Sequence, residues 1–166
     1  MANTRSRIAR LVTVAIASLA AACTDAATGD KLPTDAGAGL YPQIVVGIGK
    51  GTAQADLSLR QVPGGLSLGS YQGEVVFNPA VLTLQSAEFP EGVIGAANEV
   101  APGRIRFAGS ALDGTDGALV LRMRFAVKST VTRSVFSATF EEVTDAVEFA
   151  DVTAQVKNGT LLYQQR

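Results

Sequence analysis

From Tyr41 onward, apolar and polar positions alternate in short runs. Ile44, Val45, Val46 and Ile48 form a β-branched stretch. Ala55, Leu57 and Leu59 alternate with Asp56, Ser58 and Arg60, and Tyr71, Gly73, Val75 and Phe77 alternate with Gln72, Glu74, Val76 and Asn78. Leu82 and Leu84 follow, and Ile105 and Phe107 alternate with Arg104 and Arg106. Along 119–128, Leu119, Leu121, Met123, Phe125 and Val127 oppose Arg122, Arg124 and Lys128. Phe136, Ala138 and Phe140 give another inward set, Val152, Ala154 and Val156 one more, and 161–163 closes the series. A period of two puts one side of each strand in a core. Turn residues separate the runs: Pro63-Gly64-Gly65, Asn78-Pro79, Pro90-Glu91-Gly92, Pro102-Gly103, Asp113 to Gly117 and Asn158-Gly159. Short strands punctuated in this way predict an antiparallel β-sandwich, with Phe77, Phe107 and Phe125 sealed between two layers. Only 141–149 has room for a helical turn.

The first forty residues follow a different pattern. Arg5, Arg7 and Arg10 precede an uncharged stretch from Leu11 to Ala22, and Cys23 follows as the only cysteine. A basic start, an apolar run of about a dozen residues and small residues at the cleavage point describe a secretory signal, too short to anchor across a bilayer. Ala20-Ala21-Ala22-Cys23 resembles the lipobox of bacterial lipoproteins. That resemblance implies that 1–22 is removed and that Cys23 becomes the lipid-bearing first residue, with Thr24 in second place favouring the outer membrane. Plain cleavage would instead leave Cys23 as a reactive thiol. Residues 23–39, small and polar, read as a flexible tether with a root-mean-square span of roughly 20 to 25 Å. The domain is expected over 40–166. Membrane contact is then through the lipid alone.

Composition narrows the chemistry. Removing Arg5, Arg7 and Arg10 from the 14 basic residues leaves 11 against 15 acids, a net charge of −4. That balance argues against a nucleic-acid partner. Histidine and tryptophan are absent. No serine–histidine or cysteine–histidine nucleophile is available, and no zinc site with the usual nitrogen and sulfur ligands. No cofactor is expected.

A family likeness is carried by 70–84, SYQGEVVFNPAVLTL, with Phe77-Asn78-Pro79-Ala80-Val81-Leu82 its most specific part. Arg104 to Gly109 and then Gly117 to Lys128, GALVLRMRFAVK, continue it, and Ile44–Gly49 and Ala55–Leu59 stand in for the first two strands. Over 41–163 the chain resembles cohesin domains. The resemblance implies an all-β antiparallel jelly-roll β-sandwich of about nine strands, related to bacterial carbohydrate-binding domains. It also implies a non-catalytic module whose partner is a dockerin, a small calcium-loaded helical protein. The binding face would include the third strand, where Ser70, Gln72 and Glu74 take outward places that in cohesins commonly hold asparagine and aspartate.

Other clusters have competing explanations. Arg104, Arg106, Arg122 and Arg124 would form a basic stripe for an acidic partner or an anionic glycan if 104–107 and 119–127 paired as neighbours. Otherwise they are solvated positions balanced across strands by Glu74 or Asp56. Asp113 and Asp116 offer two carboxylates to a calcium ion, although Asp and Gly are also what a tight turn demands. Glu141, Glu142, Asp145, Glu148 and Asp151 form an acidic stretch in which nothing positions a catalytic pair. Stacking on sugar would fall to Tyr41 or Tyr163. The sequence thus predicts a lipid-anchored envelope module presenting a sheet face to a protein partner, in surface assembly or polysaccharide utilisation, with direct glycan binding as the alternative.

Overall fold

The computed structural model describes residues 37–131, 135–159 and 161–166. Residues 1–22, read above as a signal segment, and Cys23 lie outside the described residues. Among the described residues there are nine strands: β1 (Gly39–Ile48), β2 (Thr52–Val62), β3 (Leu68–Phe77), β4 (Leu82–Glu88), β5 (Ile94–Ala101), β6 (Arg104–Thr115), β7 (Leu121–Val127), β8 (Phe136–Asp145) and β9 (Leu162–Gln165). They form a five-stranded sheet in the order β4-β7-β2-β1-β9 and a four-stranded sheet in the order β5-β6-β3-β8. All pairings are antiparallel except β1 with β9, which run parallel with Ile44 opposite Tyr163.

The inward positions of the two sheets meet as the alternation predicts. Phe77 and Phe107 of the four-stranded sheet and Phe125 of the five-stranded sheet are all buried. Phe125 meets Phe77 and Phe136 edge-on, with ring centroids 5.0 and 5.7 Å apart, and Phe107 meets Phe140 at 5.4 Å. Edge-to-face contacts of this kind add about 0.5–1.5 kcal/mol each beyond area burial. Gly73 makes room for this packing. A Cβ there would collide with the Thr139 carbonyl oxygen and stand 2.9 Å from the Phe107 ring.

Tyr71 ties the layers by a polar contact. Its ring is buried on β3, and its hydroxyl donates to the Val120 carbonyl oxygen at 3.1 Å, just ahead of β7 in the other sheet. Burial pushes its pKa up to about 12. The protonated phenol therefore stabilises the fold fully below about pH 10, and this contribution disappears as pH rises toward 12. Tyr71→Phe is expected to cost about 1 kcal/mol at neutral pH and to flatten the alkaline loss of stability. Chemical denaturation at a series of pH values measures both, and the residual alkaline slope belongs to Tyr163, whose pKa burial also raises.

Several segments depart from the sequence reading. Residues 152–156 are not a strand: Thr153–Gln155 form a single 3₁₀ turn, so Val152 and Val156 are buried one turn apart while Ala154 is exposed. The ninth strand is instead β5, an edge strand whose residues are mostly exposed and so lack alternation. Strand β7 begins at Leu121, and the preceding Val120 is buried in place of Leu119. Residues 141–145, read as room for a helical turn, continue β8. Asp113 and Thr115, placed in a turn, lie on the end of β6.

Candidate docking face

The outer surface of the four-stranded sheet gathers most of the residues singled out in the sequence. Ser70, Gln72 and Glu74 point outward from β3, as the alternation requires. On one flank β6 contributes Arg104 and Arg106, and on the other β8 contributes Glu141, Glu142 and Thr144. A bulge opposite Gln72 and Gly73 inserts one residue into β8, so the consecutive acids Glu141 and Glu142 both face out.

At one end this face is a network of charges and amides. Arg104 donates to Glu74 Oε2 at 2.7 Å, Arg106 reaches across β3 to Glu141, and Gln72 Nε2 donates to Glu142 at 2.9 Å. Exposed pairs such as these contribute about 0–1 kcal/mol each. Their main effect is to hold the side chains in fixed positions.

At the other end the face is apolar at its rim. Ile94 on β5 is 77% exposed, Leu112 on β6 is 89% exposed, and Phe149, beyond β8, is 84% exposed. Between them lie two shallow depressions that share Ser70 and Ser110. One, of about 330 Å³, is bounded by Ile94; the other, of about 170 Å³, is bounded by Leu112 and Phe149. The hydroxyls in this zone are engaged: Ser70 with Thr144, and Ser110 with the Gly69 carbonyl oxygen at 3.3 Å.

Phe149 is held out by a built loop. Asp145 Oδ1 accepts from the Val147 and Glu148 amides at 2.7 Å each, and the Asp145 amide donates to the Ala150 carbonyl at 2.9 Å. The Ala146 amide is anchored on the Ser67 carbonyl at 2.6 Å. The hydrogen bond from Glu148, against desolvation and with help from Val147 and Ser67, lowers the Asp145 pKa from its ordinary value. Within this frame Phe149 has φ 54°, the only non-glycine residue with positive φ among the described residues. An aromatic side chain in the left-handed region is strained, and its exposure means that no core packing offsets the strain.

The basic stripe does not form. Arg104 and Arg106 lie on the four-stranded sheet, whereas Arg122 and Arg124 lie on β7 of the five-stranded sheet, on the opposite face of the molecule. Balance across strands is what the structure shows: Glu74 holds Arg104, and Asp56 holds Arg122 with two hydrogen bonds at 2.9 and 3.1 Å. Asp113 lies on the end of β6, and Asp116 follows that strand. Asp116 Oδ1 accepts from the Ala118 amide at 2.9 Å, and among the described residues no group of three or more carboxylate, cysteine or histidine ligands is brought together. Tyr41 is 5% exposed, with its hydroxyl donating to the Gly37 carbonyl, so it offers no platform for a sugar. Sequence reasoning missed Ile94, Leu112 and Phe149, because an apolar residue carries no mark of exposure.

The two facing sheets of five and four strands, with β1 clasped between β2 and a parallel β9, form a β-sandwich. No family model matches the chain, and no curated protein matches it. Solved structures do. The sixth cohesin of scaffoldin B from Acetivibrio cellulolyticus, crystallised with a mutant Cel5 dockerin, matches 77% of this chain and 99% of its own length, with a TM-score of 0.56 and 14% identity. A non-cellulosomal cohesin from the archaeon Archaeoglobus fulgidus matches 79% of this chain and 92% of its own, at 0.55 and 12%. The cohesin module of a family 33 glycoside hydrolase from Clostridium perfringens matches 78% and 100%, at 0.53 and 13%. At these identities the likeness is one of fold.

Proposed function

We propose that this chain is a non-catalytic binding module of a bacterial cell envelope, held by lipid at Cys23, whose four-stranded face docks a protein partner of dockerin type. The observation that carries this reading is the rim of Ile94, Leu112 and Phe149 around one end of that face, each more than three-quarters exposed. Exposed apolar groups beside fixed polar ones are the composition of a protein interface, with a few anchors for affinity and a polar surround for register. The fold adds support, since the Acetivibrio cellulolyticus cohesin was solved with a dockerin. Ser70, Gln72, Glu74, Arg104 and Arg106 form the polar surround. Arg122 and Arg124 lie outside it.

The test is binding of the full chain to a panel of calcium-loaded dockerin modules by calorimetry. At least one is expected to bind saturably and to lose binding to Leu112→Asp, which places a charge on the apolar rim. If no dockerin binds, or if those that bind are indifferent to Leu112→Asp, the reading is wrong.

A further inference from the structure

The opposite face of the molecule carries two cations that the docking reading leaves unused. A single row crosses the five-stranded sheet from edge to edge. In it Arg124 on β7 stands opposite Gln54 on β2, Gln54 stands opposite Gly47 on β1, and Arg166 follows β9 with its amide on the Val46 carbonyl at 2.8 Å. A trough of about 600 Å³ lies along this row, with Thr52 and Gln85 on its sides. Its floor is low at Gly47, where a Cβ would meet nothing within 4 Å.

Among the described residues no acidic side chain pairs with the guanidiniums of Arg124 and Arg166. Arg122, two residues along β7 from Arg124, is matched by Asp56, which also takes the Gln54 amide at 3.1 Å. Among the described residues neither Arg124 nor Arg166 has an ion pair or a side-chain hydrogen bond, in a chain whose acids outnumber its bases. Three interstrand steps separate β7 from β9, about 14 Å at the usual strand spacing. A chain bearing repeated anionic groups can engage both guanidiniums at once across this span.

The lining favours a sugar chain over a protein. Protein interfaces draw most of their affinity from a few anchors, commonly tryptophan, tyrosine and arginine, and no exposed aromatic lies along this trough. The exposed lining offers amide, hydroxyl and guanidinium groups, which match sugar hydroxyls and acids; Ile48, at 39%, is the only exposed large hydrophobic along it. We propose that this trough binds a segment of anionic polysaccharide, with Arg124 and Arg166 each engaging a carboxylate or sulfate and Gln54, Gln85 and Thr52 the hydroxyls between. This site is separate from the docking face, so each reading stands or falls by itself.

Affinity electrophoresis of the full chain tests the proposal, with polygalacturonate, dextran sulfate, neutral dextran and polyglutamate as probes in separate gels. Retardation is expected with polygalacturonate, dextran sulfate or both, and these two arms separate carboxylate from sulfate recognition. It should be absent with neutral dextran and should weaken as salt is raised. Arg124→Gln and Arg166→Gln should each raise the dissociation constant about tenfold, the usual scale for one charge-assisted hydrogen bond. Lys157→Gln, at the far end of β1, removes the same charge and should change nothing; unaltered thermal midpoints show that all three variants fold. No retardation by either polysaccharide, retardation that survives both arginine substitutions, or tighter retention by polyglutamate would overturn it.

Discussion

Phe125→Ala is expected to destabilise the domain by about 4 kcal/mol, the usual scale for emptying a buried phenylalanine site. Phe125 is wholly buried on β7 and meets one aromatic ring from β3 and one from β8. Its removal opens a cavity where the two sheets touch, and strands on both sides would have to move to fill it. A shift of this size lowers the melting midpoint by roughly 15 °C in a domain of this length. Scanning calorimetry is the suitable readout, because the chain has no tryptophan to report by fluorescence. Phe125→Leu keeps most of the volume and should cost only about 1 kcal/mol. A loss below 1 kcal/mol for the alanine variant would mean that the sheets do not meet at Phe125.

Phe149→Gly should separate binding from stability, weakening the first without lowering the second. The left-handed backbone at Phe149 costs a non-glycine residue about 1–2 kcal/mol, and glycine adopts it freely. The side chain is exposed, so its loss removes almost no core packing. The folded state should therefore be unchanged in stability or gain up to about 1 kcal/mol after the entropy cost of glycine. Partner affinity should fall by about 30-fold, the effect of losing an anchor worth about 2 kcal/mol. Calorimetric melting and partner titration on the same sample measure both. A variant that is more stable and binds equally well would show that the strain at Phe149 serves no docking role.

How much of this was legible in the sequence depends on what alternation encodes. Period two states which side of a strand a residue occupies, so the inward placing of Tyr71, Phe77, Phe107 and Phe125 and the outward placing of Ser70, Gln72 and Glu74 could be read directly. It does not state which sheet a strand joins. β6 and β7 are consecutive and both carry outward arginines, yet the chain crosses between layers after Thr115, so Arg106 and Arg124 face opposite ways. Edge strand β5 was invisible for a related reason. Exposed on nearly every residue, it had no buried side to create a pattern. Val152, Ala154 and Val156 fit a period of two, but the outer pair fit one helical turn equally well, and the turn is what forms. The acidic stretch was legible as composition only. The bulge that turns Glu141 and Glu142 outward and the Asp145 loop that holds Phe149 depend on backbone geometry that no residue pattern announced.

The central claim is that the two outer faces have separate roles and that the four-stranded one docks the protein partner. Backbone amide chemical shifts of the labelled chain, followed as a bound dockerin is titrated in, test this most directly. The expected result is a continuous set of shifted amides across β5, β6, β3 and β8, strongest near Ile94, Leu112 and Phe149, with β2 and β7 unmoved around Arg124. Shifts centred on β4, β7 and β2, with Leu112 and Phe149 silent, would contradict it.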